Sequence, residues 1–120
     1  MANRNNFITG VTELLILSLI EKGDSYIYEI VKSIQDLSDG LLVLPQSTIY
    51  TATYKMEDKG YISEYSKKVG RKRTRVYYHL ESSGADYLKE IYDNYSQTAQ
   101  GIARFLDAIN DNKGHQDERS

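Results

Sequence analysis

Between residues 88 and 109, Leu88, Ile91, Tyr95, Thr98, Ile102, Phe105 and Ile109 recur at alternating steps of three and four. On a helix of 3.6 residues per turn this spacing holds one narrow seam on one side for three heptads. Tyr92, Ala99 and Leu106 widen the stripe, Ser82 or Ser83 can cap its start, and Asp86 suits its first turn. A helix of roughly 28 residues is about 42 Å long. The chain has 120 residues, enough for one domain, and the part preceding this helix is too small to cover it. A seam that its own domain cannot cover calls for a second copy. A homodimer is therefore expected, held through Leu88, Ile91, Tyr95, Ile102, Phe105 and Ile109.

The start of the chain points the same way. Residues 8–21 are apolar on almost every side, with Val11, Leu14, Leu15, Ile16, Leu17, Leu19 and Ile20. A small domain covers one or two faces of a helix, so the excess predicts contact with a second subunit. Residues 1–6 are polar and expected to fray, and they lack a signal-peptide pattern. No apolar run, whether residues 14–17 or 41–44, exceeds four residues, far short of the ~20 residues of a membrane span. With no cysteine, neither a disulfide nor a Cys metal site can form, which is compatible with the cytoplasm.

The middle of the chain divides at its turn residues. Gly23 ends the first helix, and Asp24 and Ser25 can cap the second. Ile27, Ile30, Val31, Ile34 and Leu37 give an amphipathic helix over 26–37, stopped by Ser38, Asp39 and Gly40. Pro45, the single proline, suits the first turn of a third helix over 46–59, with Ile49, Ala52 and Met56 inward and Lys59 and Gly60 at its end. Residues 61–68 and 74–80 read as paired strands, with Val76, Tyr78 and Leu80 on the inner side of the second. The fold class is mainly α with a small β-hairpin: a winged helix-turn-helix over 7–80, a C-terminal dimerisation helix over 81–110, and a disordered tail over 111–120.

Charge marks where such a domain would act. Residues 67–75, KKVGRKRTR, hold six of the fifteen Lys and Arg of a chain whose net charge is −2, and no acid lies between Glu64 and Glu81. An isolated basic run is usually a solvated loop. This one tips a hairpin that directly follows a helix whose outer face carries Gln46, Ser47, Thr48, Tyr50, Thr51, Tyr54 and Lys55, with no carboxylate before Glu57. Short donors near the N-terminus of a helix face free of carboxylates suit the edges of bases in a DNA major groove. Lys67, Lys68, Arg71, Lys72, Arg73 and Arg75 suit the phosphates along the backbone or in the minor groove.

Several segments stand in a recognisable order: Tyr28-Glu29-Ile30, Thr48-Ile49-Tyr50, Met56-Glu57-Asp58-Lys59-Gly60-Tyr61-Ile62, Gly70-Arg71-Lys72-Arg73, Tyr77-Tyr78-His79-Leu80, and Gly84. In this order, over residues 8–110, the chain resembles PadR-type transcriptional regulators. It departs in having Pro45 where the family often has a Ser or Asn cap. The resemblance implies a regulator, a repressor, that binds double-stranded DNA as a homodimer, the fourth helix pairing across a two-fold axis and packing on the partner's first helix. Its short-tailed branch further implies a planar aromatic or drug-like effector at the dimer interface. The matching positions are Phe7, Val11, Leu14, Tyr92, Tyr95 and Ala99; Tyr95 stands where relatives place a stacking Trp.

An enzyme is not expected. His79 and His115 lie far apart, no phosphate loop or nucleophile motif occurs, and Asp107 with Asp111 makes at most a weak metal pair, so neither cofactor nor metal is expected. The alternative is a winged-helix module for protein–protein contact without specific DNA binding, which the basic run disfavours. RNA modules carry an aromatic sheet signature that is not read here.

Overall fold

The structure is a computed structural model that describes residues 11–119, with side chains as far as 111. The polar start and Phe7 lie outside it. Among the described residues, four helices and three strands follow one another: α1 (Thr12–Lys22), β1 (Ser25–Tyr26), α2 (Ile27–Leu37), α3 (Gln46–Asp58), β2 (Ile62–Val69), β3 (Arg73–Leu80) and α4 (Ser82–Arg119). The chain forms two compact units, one reaching to Lys89 and the other from Glu90 onward.

The first unit is built on the apolar stripes. Ile16 and Leu17 of α1, Ile30 of α2, Ile49 and Met56 of α3 and Ile62 of β2 are all sealed from solvent. Leu15 and Leu19 of α1 remain partly accessible, the residue of that helix's excess apolarity. A short helix that buries its stripe in this way is stabilised mainly by packing, since its length alone is marginal in water. α3 closes with the Tyr61 amide donating to the Met56 carbonyl at 2.9 Å and the Gly60 amide to that of Glu57 at 3.0 Å. Gly60 has φ +80°, the left-handed geometry that such a C-cap requires.

The sheet is larger than the hairpin expected from the sequence. β1 joins it, in the order β1-β3-β2, with Ser25 opposite Tyr78 and Tyr26 opposite Tyr77. Asp24 and Ser25 therefore do not cap α2; its N-cap is Tyr26, which makes no side-chain capping bond. The two long strands pair from Ile62 with Leu80 to Val69 with Arg73, leaving residues 70–72 as the tip. The inner alternation holds only near the helices. Tyr78 is buried and Leu80 half-buried, whereas Val76 is 42% exposed because it lies along the hairpin towards the tip.

The first turn of α4 belongs to the same packing. A Cβ added at Gly84 would meet the Tyr61 carbonyl oxygen at 2.0 Å, so only glycine lets the helix approach so closely. The Ser83 hydroxyl donates to the Gly60 carbonyl at 2.8 Å, Tyr87 stacks on Tyr61 with centroids 4.3 Å apart, and the Tyr87 hydroxyl donates to the Glu13 carboxylate. Asp86 falls beyond the first turn, which holds no acid. Leu88, the first residue of the expected dimer seam, is buried in the first unit, whose core already occupies it. In the second unit Tyr95, Ile102, Phe105, Leu106 and Ile109 are all exposed on one protomer. The helical backbone continues to Arg119, nine residues past the end at 110 expected from the sequence.

Candidate nucleic-acid interface

α3 turns its inner residues Ile49, Ala52, Thr53 and Met56 into the core, and this fixes what its outer face must present. Ser47, Thr51 and Tyr54 occupy the crest, Tyr54 being 73% exposed. Gln46 and Tyr50 lie along one edge and Thr48 and Lys55 along the other, as 100° per residue requires. Each edge borders a crevice. One, of about 310 Å³, is lined by Thr48, Thr51 and Lys55 with Thr12 and Glu13 of α1. The other, of about 440 Å³, lies between Gln46 and Tyr50 and the hairpin residues Thr74, Arg75 and Val76, with Tyr28 and Glu64 also in its lining. Tyr28, 64% exposed on the first turn of α2, was not among the site residues read from sequence. Its place in the Tyr-Glu-Ile segment was the available signal.

Pro45 acts differently from the sequence expectation. It is the N-cap of α3, with φ −61° and ψ 148°, rather than its first helical residue, and a proline ring offers no oxygen to cap with. Thr48 reaches the Pro45 carbonyl at 3.1 Å, but no side chain caps the amides ahead of it and no acid sits in the first turn. Such a helix start keeps its partial positive charge for an anion. The Thr51 hydroxyl donates to the Ser47 carbonyl at 3.0 Å, which leaves its oxygen outward as an acceptor.

The basic residues divide by position. Arg71 and Lys72 stand exposed in the tip, where Gly70 at φ +80° makes the turn possible. Lys67, Lys68, Arg73 and Arg75 lie on the paired strands, Lys67 directly opposite Arg75. Two carboxylates limit the positive field. Glu64 borders the larger crevice, and Glu57, raised above the usual carboxylate range first by burial and then by its neighbour Glu64, shares a hydrogen bond with it. Burial also raises the Tyr78 phenol, against the lowering effect of its hydrogen bond to Thr53.

The residues named for an effector are spread over both units. Leu14 is buried in the core of the first and Val11 is half-buried there; in the second, Tyr92 and Tyr95 are exposed and Ala99 is half-buried. Phe7 lies outside the described residues. Among those residues no group of three metal-ligating side chains occurs, and no helix is long and apolar enough to cross a membrane.

A helix-turn-helix whose second helix stands exposed beside a basic three-stranded wing defines a winged-helix protein. The chain belongs to the transcriptional regulator PadR-like family, whose model matches residues 16–90. It is similar to a transcriptional regulator from Clostridium thermocellum at 35% identity and TM-score 0.77, covering 87% of this chain and 98% of that one. A PadR family transcription regulator from Clostridium difficile is 30% identical at TM-score 0.70, over 80% and 98% of the respective chains. Bacillus subtilis PadR, solved in complex with operator DNA, is 27% identical at TM-score 0.63; the match covers 68% of this chain and 46% of that protein. The family and these relatives are transcriptional regulators, not enzymes.

Proposed function

We propose that this chain is a homodimeric, sequence-specific DNA-binding repressor acting in the cytoplasm. α3, over about 46–59, enters the major groove, and the wing at 67–75 lies on the backbone or in the minor groove. The observation that carries this reading is the joining, within one compact unit, of an exposed face free of acids in its first turn and six cations on the adjoining hairpin. The operator complex of a relative with the same fold supports it. Base contacts come from Gln46, Ser47, Thr48, Tyr50, Thr51, Tyr54 and Lys55, and the wing supplies affinity without sequence choice.

The dimer forms through the exposed stripe of the second unit, Tyr95, Ile102, Phe105 and Ile109, continued by half-buried Ile91. Three large apolar residues at least half exposed on consecutive turns of one helix (Ile102, Phe105 and Leu106) are more than a solitary helix leaves in water. A planar aromatic effector binds at the apolar interface of that dimer, near Phe7, Val11, Leu14, Tyr92, Tyr95 and Ala99, and releases the operator. The test is a mobility-shift assay on the region upstream of the chain's own gene, with and without a panel of planar aromatic compounds. A retarded complex at low protein concentration, dispersed by at least one compound, is the expected result. The DNA reading fails if the upstream duplex is bound no better than a scrambled one; the effector reading alone fails if no compound disperses the complex.

A further inference from the structure

One face of the sheet carries a continuous aromatic and cationic ladder. The strand register sets Tyr65 opposite Tyr77 and Lys67 opposite Arg75, and β1 adds Tyr26 on the other side of Tyr77. Tyr65 stacks on Tyr77 at 5.7 Å with the rings 15° apart, and Tyr77 meets Tyr26 edge to face at 5.4 Å. Each end of the ladder is occupied. The Arg75 guanidinium lies 4.2 Å from the centre of the Tyr26 ring, and the Lys67 ammonium lies 5.6 Å from that of Tyr77. At the far side the Tyr65 hydroxyl donates to Asp24 Oδ2 at 2.7 Å, and His79 Nδ1 lies 2.9 Å from Asp24 Oδ1. Among the described residues no ring or carboxylate holds Arg71 or Lys72 at the tip.

We infer that Tyr26, Tyr77 and Tyr65, the last held by Asp24, are positioning residues that preset Lys67 and Arg75 for phosphate, while Arg71 and Lys72 at the tip adapt to the duplex. This rests on the DNA-binding reading above. Stacking does not remove Arg75 from service, because a guanidinium stacks by its face and keeps its N–H donors at the edge for phosphate oxygens. Free Arg and Lys side chains lose rotamer freedom when they settle on a phosphate, and a cation already held on a ring has lost part of it beforehand. The ladder thus alters affinity without altering how many phosphates are neutralised.

Two measurements on the full chain test this. In the free protein, NMR relaxation of the arginine Nε–H groups should show Arg75 ordered and Arg71 mobile. Tyr26→Leu combined with Tyr77→Leu should loosen Arg75 to the level of Arg71, and the paired Tyr→Phe changes should not, since the rings remain. On a random-sequence duplex at fixed salt, the Leu pair should bind roughly threefold to tenfold more weakly, and the Phe pair should match the parent. The slope of log K against log salt should be the same for all three. The inference is overturned if Arg75 is as mobile as Arg71 in the parent, if the folded Leu pair binds like the parent, or if its slope falls with its affinity. A parent that binds no duplex would sink the DNA reading, and the relaxation data would still decide the ladder.

Discussion

Both oxygens of the Asp24 carboxylate are turned to the sheet, and the residue's chemistry follows from that. The hydrogen bond from Tyr65, then that from His79, holds Asp24 below its ordinary 3.8, and the bond to Asp24 holds His79 above its ordinary 6.5. Asp24 therefore adds stability that is present above 3.8 and lost as pH falls through its lowered value. His79 adds stability that is present below 6.5 and lost as pH rises through its raised value. The bridge acts fully between those limits. Thermal melts should show the parent exceeding Asp24→Asn most in this window, with the gap shrinking on the alkaline side. A gap that widens with rising pH would contradict the assignment. On α3, Tyr50 and Lys55 stand on opposite edges of the outer face, each bordering its own crevice. Tyr50→Phe with Lys55→Ala should cost about tenfold or more in operator affinity, read by anisotropy with a labelled duplex. Unchanged affinity would remove these residues from the interface.

Elements were legible in the sequence where a period or a special residue carried them. The stripe of α2 through Ile27, Ile30 and Ile34, the inward Ile49, Ala52 and Met56 of α3, and the glycine at 60 are each found in the structure as read, whereas Leu37, expected to extend that stripe, is exposed at the helix end. Gly84 was legible only as a motif position; its reason is the Tyr61 carbonyl against which it packs. Gly84→Ala should destabilise the first unit by about 1–3 kcal/mol, seen as a lower denaturant midpoint with an unchanged slope. A variant as stable as the parent would show that α4 shifts freely at this point. What escaped the sequence was set by partners remote in the chain. Two residues of β1 have no period, and their pairing with Tyr77 and Tyr78 came from β3. Asp24 looked like a cap because local spacing hides its bonds to Tyr65 and His79. Tyr28 has no periodic signature and enters the site through the crevice it shares with Gln46, Tyr50 and Arg75. Leu88 fits the heptad yet is buried in the first unit, because a heptad records apolarity and not which partner covers it.

At the level of the whole molecule, a net charge of −2 and a concentrated basic wing serve different ends. Acidic residues elsewhere keep the body solvated, and in the proposed complex the wing concentrates positive potential where phosphate approaches. In a dimer two wings and two copies of α3 must meet the duplex together, so the spacing between protomers becomes part of recognition. Ile102→Asp places a charge in the middle of the exposed stripe, which the proposed dimer would bury. Light scattering should then report a monomer, with DNA binding lost alongside; a dimeric variant would show that the stripe does not hold the assembly. The most direct test of the wing and α3 as a DNA interface is the salt titration of duplex affinity for the parent and for Arg71→Ala, Lys72→Ala and Arg73→Ala combined. Affinity should fall for operator and random duplex alike, and the slope of log K against log salt should flatten by roughly 2.7 units for each wing engaged. A slope identical to the parent's would contradict the account.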